Sequence, residues 1–167
     1  INSVAVALAC ATAGIVIGVI AQTGLGLTFT GLVKAAAGQQ LIFALILTML
    51  AGIVLGMGMP TTPAYIVQVA LLVPALVNMG VSIPAAHMFV FYYAILSAIT
   101  PPVAIAVYAA CGVAQSPVIP TSLLAVRLGL TGYIIPFMFV FGPSLLMIGE
   151  WHVIALTAFT ATMGVTF

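Results

Sequence analysis

The sequence predicts an all-α polytopic membrane protein, and three observations carry that prediction. Of its 167 residues 65% are hydrophobic and 2% are charged, and the mean hydropathy is +1.46. Lys34, Arg127 and Glu150 alone cannot cover the surface of a water-soluble domain. Apolar runs of about eighteen residues or more recur along the chain, the length a helix needs to cross a hydrocarbon core of about 30 Å. A transmembrane barrel would instead need short segments alternating apolar and polar residues, and the sequence has no such alternation.

Residues 1–38 read as a transmembrane helix with a following loop. The helix covers Val4 to about Ala21, and "QTGLGLTFTG" after it is either a helix end or an unwound stretch, because Gly24, Gly26 and Gly31 stand among polar residues. Gly14 and Gly18 form a small-xxx-small pair that would let another helix approach closely. The chain opens on Ile1 rather than Met and without a basic leader, which reads as an internal piece of a longer protein rather than a signal peptide.

Residues 39–80 read as a re-entrant helical hairpin. Gln39 to Leu55 and Ala64 to Met79 flank "GMGMPTTPAY", Gly56 to Tyr65, where two glycines and two prolines must stop a helix. As one continuous helix the 41 residues from Gln39 to Met79 would extend about 60 Å, twice the hydrocarbon thickness, so the chain folds back. The turn lacks the Lys, Arg, Asp, Glu, Asn or Trp of a headgroup-level loop, which favours a tip inside the membrane over two ordinary spans.

Residues 81–116 read as a broken transmembrane helix. "NMGVSIP" is a surface loop, Ala85 begins the helix, and Pro101 and Pro102 in "SAITPPVA" interrupt it. Residues 117–149 read as an interfacial segment, from the loop "QSPVIPTS" through Thr121 to Gly132 with Arg127, and then a span from Tyr133 to Ile148. Residues 150–167 read as the start of a further transmembrane helix after a water-facing "GEWHV" turn. Lys34 and Arg127 are expected on opposite sides of the membrane, so charge does not orient the chain.

The chemistry lies in the two breaks: Gly56, Gly58, Met59, Pro60, Thr61 and Thr62 in one, Ser97, Ala98, Ile99, Thr100, Pro101 and Pro102 in the other. Each break presents the carbonyl end of one half-helix, suited to a cation such as Na⁺, and the amide end of the next, suited to a carboxylate. Threonine and serine hydroxyls add neutral oxygens. Discontinuous helices with ion sites at their breaks are the architecture of secondary transporters. The competing reading is a packing kink, since one proline often only bends a membrane helix and threonine often bonds its own backbone. A kink needs one proline, not a cluster.

Other residues read more plainly. His87 is a core or partly exposed histidine with no acidic partner in view, Phe89, Phe91, Tyr92 and Tyr93 pack or anchor, and Met57 and Met59 fill space. Glu150 and His152 are too few for a metal shell, and Cys10 and Cys111 are small hydrophobes in separate runs. No nucleophile motif, phosphate loop or carboxylate pair is present, so neither an enzyme nor a cofactor site is expected. A net charge of +1 from so few ions builds no nucleic-acid surface.

The stretch "GMGMPTTPAYIVQVALLVPALVNMGVSIPAAHMFVFYYAILSAITPPVAIAVYAACGVA" resembles the large membrane subunit of the tripartite ATP-independent periplasmic (TRAP) transporters, in its second inverted repeat. The Gly-Met-x-Met-x-x-Thr tip and the later Ile-Thr-Pro-Pro-Val carry the likeness, which covers about Ile42 to Met147. "PTTPAY", "HMFVFYYAILSAITPPVA" and the hydrophobic stretch after Trp151 resemble the fused permeases that work with TAXI-type binding proteins more than the dicarboxylate or sialic acid branch.

The resemblance implies half of an inverted-repeat elevator transporter in the cytoplasmic (inner) membrane of a bacterium or archaeon, with Na⁺ as coupling ion. A periplasmic TAXI-type binding protein would deliver an organic acid, and a small membrane subunit or its fused equivalent would complete the permease. On that pattern Gly56, Gly58, Thr61, Ser97 and Thr100 hold Na⁺, while Pro60, Thr61, Thr62, Pro101 and Pro102 border the substrate. Pro60-Thr61-Thr62 stands where relatives often carry an acidic residue beside that proline. The rival expectation is a non-transporting membrane subunit or a channel whose breaks are packing kinks.

Overall fold

The computed structural model describes residues 2–38 and 40–166. Gln39, the expected start of the second segment, lies outside the described residues, as do Ile1 and Phe167. Among the described residues every regular element is helical: α1 (Asn2–Thr23), α2 (Leu25–Ala37), α3 (Leu41–Gly56), α4 (Thr61–Asn78), α5 (Ile83–Leu96), α6 (Ile105–Ala114), α7 (Val118–Leu128), α8 (Leu130–Phe141), a 3-10 turn (Pro143–Leu146) and α9 (Trp151–Thr166).

By length and composition α4 is long and apolar enough to cross a membrane alone, while α1 with α2 and α6 with α7 reach that length as pairs bent by 72° and 119°. α3, at 16 residues, extends about 24 Å, shorter than a bilayer core.

α4 is the centre of the fold, packing on α1, α2, α3 and α5, and α8 covers the other side of α5. In lipid the helices gain little by hiding apolar surface from one another, so close backbone approach must hold them. Small residues provide it: Ala44, Ala64, Ala75 and Ala86 are completely buried between helices. Phe89, Tyr93, Leu72 and Leu76 fill the space around them, while Leu27, Val113, Leu128 and many other large apolar side chains face outward.

The expected close-packing pair, Gly14 and Gly18, faces open space, and the contact is made by Gly26 instead. Pro74 inside α4 has no N–H for the Ala70 carbonyl one turn back. Gly26 of α2 approaches that carbonyl so closely that a Cβ on it would lie 3.3 Å from the oxygen. One turn later the Asn78 side-chain amide donates to the Pro74 carbonyl at 2.8 Å.

Several boundaries differ from the sequence expectation, each for a local reason. "QTGLGLTFTG" ends α1 at Thr23 but does not unwind: Gly24, at φ +67°, turns the chain and α2 starts at once. α7 begins at Val118 within the expected loop, because Pro120 sits in its first turn, where no N–H is needed. The expected span from Tyr133 to Ile148 stops at Phe141, since Gly142 and Pro143 divert the chain into the 3-10 turn. α5 begins at Ile83 rather than Ala85, again with a first-turn proline, Pro84.

Candidate functional site

α3 and α4 form an antiparallel hairpin whose register is set at two glycines. Cβ positions on Gly52 would meet Gln68 and Leu72, and on Gly56 would meet Gln68. The turn between the helices is only Met57 to Pro60, narrower than the sequence suggested, because proline is compatible with a first helical turn and lets Thr61, Thr62 and Pro63 open α4. The Met57 N–H donates to the Val54 carbonyl and the Met59 N–H to the Gly56 carbonyl, each at 3.3 Å. Gly58 holds φ +79°, a conformation that disfavours any side chain.

The second break runs from Ser97 to Ala104, between α5 and α6. It begins as tightening turns, Ala98 N–H to Ile95 carbonyl and Ile99 N–H to Leu96 carbonyl, both 3.1 Å. It closes where the Ala106 N–H reaches back to the Ala98 carbonyl at 3.0 Å, so the intervening residues form a loop with tied ends. Within it Pro101 and Pro102 are joined by a cis peptide bond.

The two breaks meet. Gly56 and Ser97 are both buried, and a Cβ on Gly56 would lie 2.7 Å from the Ser97 Cβ and 2.8 Å from Gln68 Nε2. Around Gly58 the hairpin tip also faces the residue after the double proline, with Val103 Cγ1 at 3.6 Å from its Cβ position.

The nine candidate residues thus divide by depth. Gly56 and Ser97 form an inner contact; Gly58, Pro60, Thr62 and Pro102 are exposed, and Thr61, Thr100 and Pro101 lie between. The Thr61 and Thr62 hydroxyls make no hydrogen bond among the described residues, and both stand in the first turn of α4. Thr100 turns the other way: its hydroxyl donates to the Leu96 carbonyl at 2.6 Å and accepts from the Tyr133 hydroxyl at 2.6 Å. One lone pair on Thr100 is left for any other partner.

Two residues outside the predicted set shape this site. Gln68 is fully buried, and neither of its amide atoms has a hydrogen-bond partner among the described residues. A lone glutamine inside "AYIVQVALLV" was the available signal, since an amide in a membrane helix is costly. Tyr133 is the other. Its hydroxyl braces Thr100, while its carbonyl accepts from the Tyr93 hydroxyl at 2.7 Å, so α8 holds both α5 and the break that follows it. Gly129 and Gly132 admit α8 this closely: their Cβ positions lie 3.0 Å from Ile99 and 3.2 Å from Leu96. No spacing in the sequence marks Tyr133.

Elsewhere, His87 is half-buried, and its Nδ1 shares a hydrogen bond at 2.8 Å with the Tyr65 hydroxyl. His152 and Glu150 form an ion pair at 2.9 Å with both side chains largely exposed. Among the described residues no three His, Cys, Asp or Glu side chains gather. The side-chain groups at the meeting of the breaks are the Ser97 hydroxyl and the Gln68 amide, both neutral.

The family profile described as "Tripartite ATP-independent periplasmic transporter, DctM component" matches residues 1–152. No curated protein and no solved structure matches the chain.

Proposed function

The chain belongs to the DctM-component family of tripartite ATP-independent periplasmic transporters, and on that premise we propose that it is half of the transport domain of a sodium-coupled permease. The transporter imports an organic acid across the cytoplasmic membrane, receiving it from a periplasmic solute-binding protein of the TAXI type with a small membrane subunit or fused equivalent. It performs no covalent chemistry.

The observation that carries this reading is the contact between Gly56 and Ser97. Two helices end at that contact, so their carbonyl ends, with partial negative charge, converge with the Ser97 hydroxyl. The first turn of α4, with half-buried Thr61, exposed Thr62 and their backbone N–H groups, offers the opposite polarity, suited to a carboxylate. A cation drawn to the inner groups would draw the tip and the Ser97–Ala104 loop together and preorganise the outer groups for the substrate. Each solute then favours the state that binds the other, which is thermodynamic coupling. An elevator movement would carry the loaded site across.

Proteoliposomes containing the full-length permease and its binding protein test the reading. Uptake of a radiolabelled organic acid should require both the binding protein and an inward Na⁺ gradient. Equal uptake with K⁺ replacing Na⁺ would overturn it.

A further inference from the structure

The fold gives no structural employment to the side chain of Gln68. It lies within α4, completely buried, with Oε1 and Nε2 both unpartnered among the described residues. Burial of an unsatisfied amide is unfavourable, and leucine in its place would have avoided the penalty. Moreover, α3 has been cleared to admit the amide. A Cβ on Gly52 would lie 3.2 Å from Oε1, and one on Gly56 would lie 2.8 Å from Nε2. Spaced four residues apart, these glycines share one helix face and form a cradle along the amide. Ser97 closes the same space from the end of α5; its hydroxyl proton goes to the Ala94 carbonyl at 2.8 Å, so its lone pairs remain.

Resting on the sodium reading above, we infer that Gln68 is a ligand of the coupling cation, its side-chain carbonyl acting with the Ser97 hydroxyl and the main-chain carbonyls at the end of α3. The donors are all neutral, and Glu150 is the sole acidic side chain in the sequence, so the set suits Na⁺ and lacks the carboxylates that bind Ca²⁺ or Mg²⁺. A half-turn of the amide exchanges its oxygen and nitrogen without altering its shape. Nε2 faces Gly56 here, and the half-turn brings the carbonyl oxygen to that side to meet the ion. Neither glycine carries a Cβ to obstruct that rotation.

The test uses the full-length permease and reads binding rather than transport: thermal unfolding in NaCl against KCl at constant ionic strength. Wild type, Gln68→Leu and Gln68→Glu are compared. Gln68→Leu should be at least as stable as wild type in KCl, because the orphaned amide is gone, while the Na⁺ concentration for half-maximal stabilisation rises by about tenfold or more. Gln68→Glu keeps an oxygen and should keep the Na⁺ response. If Gln68→Leu does not fold, Gln68→Met, similar in length and without a carbonyl, takes its place. A wild-type Na⁺ midpoint in the apolar variant, or equal loss in the apolar and Glu variants, overturns the assignment and leaves the sodium reading standing. Absence of any Na⁺ response in wild type overturns both.

Discussion

Gly56, the last residue of α3, lies against Ser97, the first residue beyond α5, with the Ser97 Cβ at 2.7 Å from where a Cβ on Gly56 would stand. The contact leaves no room for a methyl group. Gly56→Ala should therefore destabilise the permease by about 1–3 kcal/mol, the usual cost of overpacking, and abolish Na⁺-dependent uptake. Adding Ser97→Gly removes one of the two obstructions, Gln68 being the other, so the double variant should recover part of the lost stability. Thermal unfolding of the four proteins in the cycle measures both effects; strict additivity would count against the contact.

Tyr133 and Thr100 offer a finer probe. Tyr133→Phe removes the hydroxyl that bonds Thr100 while keeping the ring and the carbonyl that accepts from Tyr93. It should cost about 1 kcal/mol. Thr100→Val removes the bond to the Leu96 carbonyl as well, and should weaken the sodium dependence of uptake more than Tyr133→Phe does. An unchanged Na⁺ titration for Thr100→Val would exclude that side chain from the ion site.

The tip itself depends on a left-handed residue. Gly58→Ala keeps the space, with Val103 3.6 Å from the new methyl carbon, but forces a side chain to φ +79°. The expected penalty is about 1–2 kcal/mol, concentrated in the hairpin turn. Hydrogen exchange should then speed up at Met57 and Met59, whose N–H groups close the turn, ahead of the body of α4. Uniform acceleration along α4 would mean that the tip does not open by itself.

Helix α2 comes close to α4 at the Ala70 carbonyl, which has no N–H donor at Pro74. Gly26→Leu would drive a side chain into the Ala70 oxygen and should lower the melting temperature. Pro74→Ala restores an N–H to Ala70 and should leave stability unchanged or raised. A neutral Gly26→Leu would show that this close approach is not what holds α2.

As a control, Glu150→Gln breaks the ion pair with His152, but both side chains are largely exposed. It should change stability by less than about 0.5 kcal/mol and leave Na⁺-driven uptake untouched.

The sequence by itself determined the membrane class, both helix breaks and the family resemblance. These follow from local chemistry: apolar runs report the solvent, and proline and glycine stop a helix wherever they stand. Local rules also failed in a regular way. The same prolines that break helices open them when they fall in a first turn, so Pro63, Pro84 and Pro120 belong to helices where loop was expected. Only the tertiary structure decided that Gly56 meets Ser97, that Thr100 turns toward Tyr133, and that the amide of Gln68 lies buried against Gly52 and Gly56. Those facts depend on the register and separation of helices far apart in the chain. Such register is fixed by how close small residues let backbones come, a property of pairs of surfaces that one helix's own sequence does not contain.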